Sequence, residues 1–186
     1  MRIISGNFKG KKINLPEDKN TRPLRDMVKE SIFNLIEHSN KISVDLNNAN
    51  ILDLFSGSGS FGLECISRGV KKVTFVENYI LSLEILKKNI DLLKAKKNCN
   101  LVQDDCFKFF SYESYLKIKF DIIFLDPPYK EKRINFLLSK IKGGKLLKEN
   151  GIIIIHRHKK DDVQISREFN ILDYRSYGIS KIIIGN

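Results

Sequence analysis

From Asn50 onward, short apolar runs alternate with longer amphipathic stretches, and that alternation constrains the chain more than any other feature. It is the pattern of a parallel sheet covered by helices. Strands are expected over residues 51–55, 72–76, 100–103, 120–125 and 152–155. Helices are expected over 59–67, 80–93, 106–112 and 132–141, where apolar residues recur at three- and four-residue spacing, most clearly at Leu81, Ile85, Ile90 and Leu93. After the fifth strand the alternation stops. Residues 169–174 and 181–184 read as two more strands joined by "RSYGIS", too short for a crossover helix, so they are expected to pair antiparallel.

The first fifty residues differ in kind. "MRIISGNFKGKKINLP" reads as a small basic hairpin around Gly6 and Gly10, and 26–36 as a helix that starts after Pro23. Residues 1–45 are therefore expected to extend a core of residues 46–186 within one domain spanning 1–186. The chain has 186 residues, enough for one domain with a substantial core.

"ILDLFSGSGSFG" places Gly57, Gly59 and Gly62 after the first strand, with Glu77 about twenty residues on. Alone, this G-x-G-x-x-G fits a dinucleotide such as NAD. With Asp53 inside the strand it also fits S-adenosylmethionine. An NAD-binding sheet would continue with another crossover where this chain has an antiparallel end.

"DIIFLDPPY" carries the most chemistry. A buried strand delivers Asp126-Pro127-Pro128-Tyr129 to its carboxyl end, where open α/β sheets bind ligands. If this strand neighbours the one expected over 51–55, the two loops meet at one pocket. Methylating an exocyclic amine of a nucleobase requires a nitrogen whose lone pair is delocalised into the ring to pyramidalise. The Asp126 carboxylate and the Pro127 carbonyl can accept from its N–H groups and favour that state. The prolines stiffen the loop. Tyr129 would stack on a base taken out of its helix.

On this reading the cofactor is S-adenosylmethionine. Ser56, Gly57 and Gly59 bring backbone close to it, and Asp53 orients its amino-acid end. Glu77 accepts from the ribose hydroxyls, Asp105 contacts the adenine amine, and Cys106 lines that pocket. Gly62 is read as close packing of the following helix against the sheet.

The formal net charge is +11, which points to a polyanionic partner. Arg2, Lys9, Lys11, Lys12, Arg22 and Arg25 gather in the N-terminal extension and are expected to contact RNA phosphates. Cys65, Cys99 and Cys106 lack metal-site or disulfide spacing and read as free thiols in a reducing cytosol. No signal-peptide run opens the sequence and no apolar run is long enough to span a membrane, so a cytoplasmic protein is expected. His156 and His158 read as surface side chains and not as metal ligands, so no metal is expected.

"MRIISGNFKGKKI", "TRPLRDMVKESIFNLI", "ILDLFSGSGSFGLECISRG", "VTFVEN", "FDIIFLDPPY" and "YGISKIII", in that order and spacing, resemble the RsmD-type 16S ribosomal RNA guanine-N2 methyltransferases of bacteria. The resemblance runs over almost the whole chain. It implies a Rossmann-like class I methyltransferase fold, a mostly parallel seven-stranded sheet with an antiparallel C-terminal hairpin. It further implies methyl transfer from S-adenosylmethionine to one guanine of small-subunit rRNA, within a subunit assembly particle. Asp126, Pro127 and Tyr129 match the target-amine motif, and Asp53, Gly57, Gly59, Glu77 and Asp105 the cofactor positions. Arg22 and Pro23 match a segment near the entrance. Tyr79 stands where an acidic residue is common, and His156 where Glu is usual. Adenine N6 of nucleic acid is the alternative acceptor, and a non-catalytic RNA-binding module the alternative class. A glutamine acceptor favours Asn at position 126, and a cytosine-C5 enzyme needs a thiol near Pro127.

Overall fold

Seven strands form one sheet in the computed structural model, which describes residues 1–18 and 24–186. The strands are β1 (Asn50–Asp53), β2 (Lys72–Val76), β3 (Cys99–Val102), β4 (Phe120–Leu125), β5 (Leu147–His158), β6 (Ile171–Tyr177) and β7 (Ser180–Gly185). Their order is β3-β2-β1-β4-β5-β7-β6. The first five run parallel, and β7 pairs antiparallel with both β5 and β6. The helices are α1 (Asp26–His38), α2 (Ser60–Ser67), α3 (Ile80–Leu92), α4 (Cys106–Phe109), α5 (Glu113–Leu116) and α6 (Ile134–Gly143).

Strand residues alternate between two cores, as the pleat requires. Ile51, Phe75, Ile122, Ile154 and Ile182 face a core shared with α1, α2 and α3. Leu52, Val76, Ile123, Ile155 and Ile183 face the other, with α6. Gly62 is where α2 meets the sheet: a Cβ there would stand 2.3 Å from Phe75 Cε1, so only glycine lets the helix approach.

Two expected strands match their observed bounds, β2 and β4. The others differ for local reasons. The strand expected over 51–55 ends at Asp53, because Leu54 and Phe55 already turn and the Ser56 N–H bonds the Val76 carbonyl at 3.2 Å. The strand expected over 152–155 runs to His158, because β7 supplies ladder partners through His158↔Ser180. The "RSYGIS" connection is mostly strand, and the turn reduces to Gly178 and Ile179, with Gly178 at φ +57°. The helix expected over 106–112 stops at Phe109, and α5 starts separately.

The N-terminal hairpin closes through one antiparallel bridge, Arg2↔Lys12, with a 3-10 turn at Gly6–Phe8. It lies along the length of α2. Lys29 Nζ donates to the Arg2 carbonyl (2.9 Å) and reaches Ser60 Oγ (3.4 Å) at the start of α2. The N–H groups of Ile4 and Ser5 donate to the Glu64 carboxylate (2.8 and 2.9 Å). At the helix's far end the Phe8 N–H donates to Ser67 Oγ at 2.9 Å. Glu64 also pairs with Lys29 at 3.3 Å, both side chains fully buried. Among the described residues no helix is long and apolar enough to cross a membrane.

Candidate active site

β1 and β4 are neighbours, with Asp53 in register with Phe124, so the loops that follow them open on the same edge of the sheet. This is the topological switch point, the edge at which open α/β sheets bind ligands. The adjacency expected of the glycine and DPPY loops is therefore present.

Asp53 ends β1, is 1% exposed, and neither carboxylate oxygen has a hydrogen-bond partner. Burial pushes its carboxyl well above the usual range, and the charges of Asp126 and Glu77 push it further; the nearby Gly62 and Phe55 N–H groups offset only part of this. An orphaned buried acid at a ligand edge is a group waiting for a donor or a cation.

The glycine loop is built for close approach. Gly57 sits at φ +53° with nothing within 4 Å of where a Cβ would be, so space lies open above it. Gly59 sits at φ +83°, where a Cβ would collide with Leu86 at 2.4 Å. Ser56 Oγ donates back to the Asp53 carbonyl at 2.8 Å and so fixes the turn. Glu77, after β2, ties the loop to the next strand: its Oε2 accepts from the Gly57 N–H (2.6 Å) and its Oε1 from the Tyr79 N–H (2.8 Å). Burial raises the Glu77 carboxyl, and these N–H groups counter it.

Asp105 follows β3 and caps α4, accepting from the Phe107 N–H at 2.7 Å; its other oxygen lies 3.4 Å from Asn78 Nδ2. Asp104 turns away to the Tyr112 hydroxyl. Cys106 is buried in the second core, next to Asp105. Burial and the Asp105 charge raise its thiol.

Asp126 and Tyr129 are half-buried, Pro127 is buried and Pro128 exposed. Two neighbours on β5 hold this loop; the sequence marked His156 only as a departure from the resembling family and gave no sign of Arg157. His156 Nδ1 bonds Asp126 Oδ1 at 2.7 Å and its Nε2 bonds Ser180 Oγ at 2.9 Å. His156 is 8% exposed, which corrects its reading as a surface side chain. Burial lowers the imidazole's pKa, but the Asp126 charge and hydrogen bond outweigh it and leave the group raised. Arg157 has a side chain 1% exposed and donates to the carbonyls of Pro128 (3.1 Å), Tyr129 (3.2 Å) and Glu131 (2.9 Å). Asp161 pairs with the same guanidinium; burial works against its charge, but that pairing brings its carboxyl down to about 2. His158 meets the Tyr129 ring edge-to-face at 4.9 Å. Local periodicity gave no sign of these roles, because each depends on pairing with β4 or β7.

Of the basic residues, Arg2 pairs with Asp26 at 3.6 Å, Lys11 lies over the Phe8 ring, and Lys9, Lys12 and Arg25 are exposed. Arg22 and Pro23 lie outside the described residues. Among the described residues no group of three or more His, Cys, Asp and Glu could hold a metal ion. A recess of about 790 Å³ between α1 and β6, lined by His38, Lys41, Asp173 and Arg175 among others, contains none of the expected site residues.

Residues 1–186 match the family described as Conserved hypothetical protein 95. YlbH of Bacillus subtilis is 31% identical over 185 residues, covering 99% of this chain and 97% of that protein. The Haemophilus influenzae protein named ribosomal RNA small subunit methyltransferase D is 31% identical over 179 residues, covering 96% of this chain and 90% of that protein. Among solved structures, the Escherichia coli protein yhhF superposes with a TM-score of 0.82 at 24% identity, covering 100% of this chain and 96% of that chain, a likeness of fold. The chain belongs to the conserved hypothetical protein 95 family, that of the ribosomal RNA small subunit methyltransferase D proteins.

Proposed function

We propose that this chain transfers a methyl group from S-adenosylmethionine to the exocyclic N2 amine of a guanine in 16S rRNA, on an assembling small ribosomal subunit in the cytoplasm. One domain, residues 1–186, does this, the hairpin being clamped to the core through Glu64. The observation that carries the reading is Asp126, a carboxylate at the ligand edge beside the glycine loop, anchored through one oxygen.

The residues present fit the cofactor. The orphaned Asp53 carboxylate suits the cationic amino-acid end, and the open space above Gly57 admits it. Glu77 is already fixed by two N–H donors and keeps acceptor capacity for ribose hydroxyls. Asp105 takes the adenine amine, with Ser56, Gly59 and Cys106 shaping the walls. S-adenosylmethionine supplies an electrophilic methyl group. Asp126 and the Pro127 carbonyl accept the N–H groups of the guanine amine and favour its pyramidal form. Tyr129 stacks on the extruded base, and Arg157 keeps the loop from shifting. Arg2, Lys9, Lys11, Lys12, Arg22 and Arg25 contact rRNA phosphates.

The test is methyl transfer to small-subunit particles from cells lacking the gene, followed by mapping of the modified nucleotide. Label at guanine N2 is expected, and Asp126→Ala is expected to lower turnover by about 10³-fold in a folded protein. Label on a ring carbon or on DNA, with none at guanine N2, refutes the reading.

A further inference from the structure

We infer that His156 is the positioning residue for Asp126: its Nδ1–H fixes one carboxylate oxygen so that Oδ2 faces the target amine, with Ser180 bracing the ring from behind. This rests on the methyl-transfer reading and adds to it a residue outside the DPPY loop.

The geometry comes from three strands. β4 delivers Asp126, β5 delivers His156, and β7 delivers Ser180, which pairs in register with His158. Leu125 is in register with Ile155, so the residues that follow each, Asp126 and His156, stand side by side. His156 is 8% exposed and both its ring nitrogens are bonded, at 2.7 and 2.9 Å, so any rotation of the ring breaks a hydrogen bond.

The chemistry fixes the direction of each bond. A carboxylate only accepts, so Nδ1 carries the hydrogen. The Ser180 hydroxyl can donate to Nε2 of the neutral ring or accept from Nε2–H of the imidazolium, so the chain survives either protonation state. The charges that act on His156 are Asp126 and the Arg157 cation on the same strand, and on its far side Asp126 faces the Asp53 carboxyl. Asp126 thus has like charge on one side, and His156 is the donor that keeps it in place.

The Ser180–His156–Asp126 connectivity is that of a hydrolase triad, but the exposed end is the opposite one. Ser180 is 4% exposed within β7, whereas the Asp126 side chain is 21% exposed at the ligand edge. The end available to substrate is therefore the carboxylate. Its Oδ1 is taken by His156, which leaves Oδ2 for the amine.

The experiment measures kcat and KM for methyl transfer to small-subunit particles, together with S-adenosylhomocysteine affinity and melting temperature, for wild type, His156→Leu, His156→Asn and Ser180→Ala. For His156→Leu, kcat is expected to fall about 10²-fold, with KM and S-adenosylhomocysteine affinity within about twofold of wild type. His156→Asn, which keeps an N–H near the position of Nδ1, is expected to recover about tenfold of that loss. Ser180→Ala is expected to cost about threefold, because the ring loses its brace but keeps Asp126. Leu as active as wild type, Asn no better than Leu, or a loss that follows S-adenosylhomocysteine affinity or melting overturns the inference. A wild type that transfers no methyl to rRNA overturns the functional reading and this inference with it; an active wild type indifferent to residue 156 overturns the inference alone.

Discussion

Replacing Asp53 by asparagine separates what the site costs the fold from what it contributes to binding. The carboxyl is fully buried, has no hydrogen-bond partner, and faces the charges of Asp126 and Glu77, so its ionised form is disfavoured in the folded chain. Its folded pKa lies above its unfolded value of about 3.9. The folded chain therefore holds more protons than the unfolded chain between those two values, and stability falls as pH rises through that window. Below about pH 4 both states are protonated and the cost vanishes. Asparagine is neutral throughout, so the stability difference, variant minus wild type, should start near zero at about pH 4 and grow with pH. At pH 8 the gain should be at least about 1 kcal/mol, because an unpaired buried charge costs more than an unpaired buried amide. For a chain of this length that is a rise in Tm of at least roughly 2–4 °C. The same variant should bind S-adenosylmethionine about 10- to 150-fold more weakly, having lost one charge-assisted contact. Thermal unfolding from pH 4 to 9, without and with the cofactor, reads both effects. A variant that melts below wild type at pH 8 without ligand, or a difference that does not change with pH, would refute the reasoning.

Two further outcomes are expected. Glu64→Gln should cost about 3–5 kcal/mol in urea unfolding, because it leaves the fully buried Lys29 without its counter-charge. Burial already lowers the Lys29 pKa and Glu64 opposes that shift, so the double change Lys29→Met with Glu64→Leu should recover most of the loss; no recovery would mean that Glu64 acts mainly through the hairpin amides. Changing Lys9, Lys11 and Lys12 to glutamine should reduce the slope of log affinity against log salt for a 16S rRNA fragment by about 0.7 per lost phosphate contact; an unchanged slope would show that the hairpin does not touch the RNA.

What the sequence disclosed divides along the range of the interactions involved. β2 and β4 were legible to the residue because an apolar run that packs on both faces of a parallel sheet is a local signal. That Asp53, Glu77 and Asp126 share one edge with the glycine loop was legible because each carboxylate stands at a strand end, and parallel strands bring their carboxyl ends to one edge whatever the loop lengths between them. β5 was read too short because His156, Arg157 and His158 look like the polar end of a strand. Arg157 Nε and His158 Nδ1 find partners nearby, in Asp161 and the Lys160 N–H, but the strand is prolonged by partners more than twenty residues away: Asp126 and Ser180 for His156, the loop carbonyls for Arg157, and the β7 ladder. No periodicity encodes such a partner. Asp126 and His156 are separated by 30 residues and meet because Leu125 and Ile155 are in register. Once that register is known, the pair follows from the sequence. At position 156, where the resemblance leads one to expect glutamate, the histidine supplies Asp126 with a donor that a carboxyl could supply only when protonated. The same strand end thus holds Asp126 through His156 and the loop backbone through Arg157, so the position of the Asp126 carboxylate is set from β5 as much as from the two prolines that follow it.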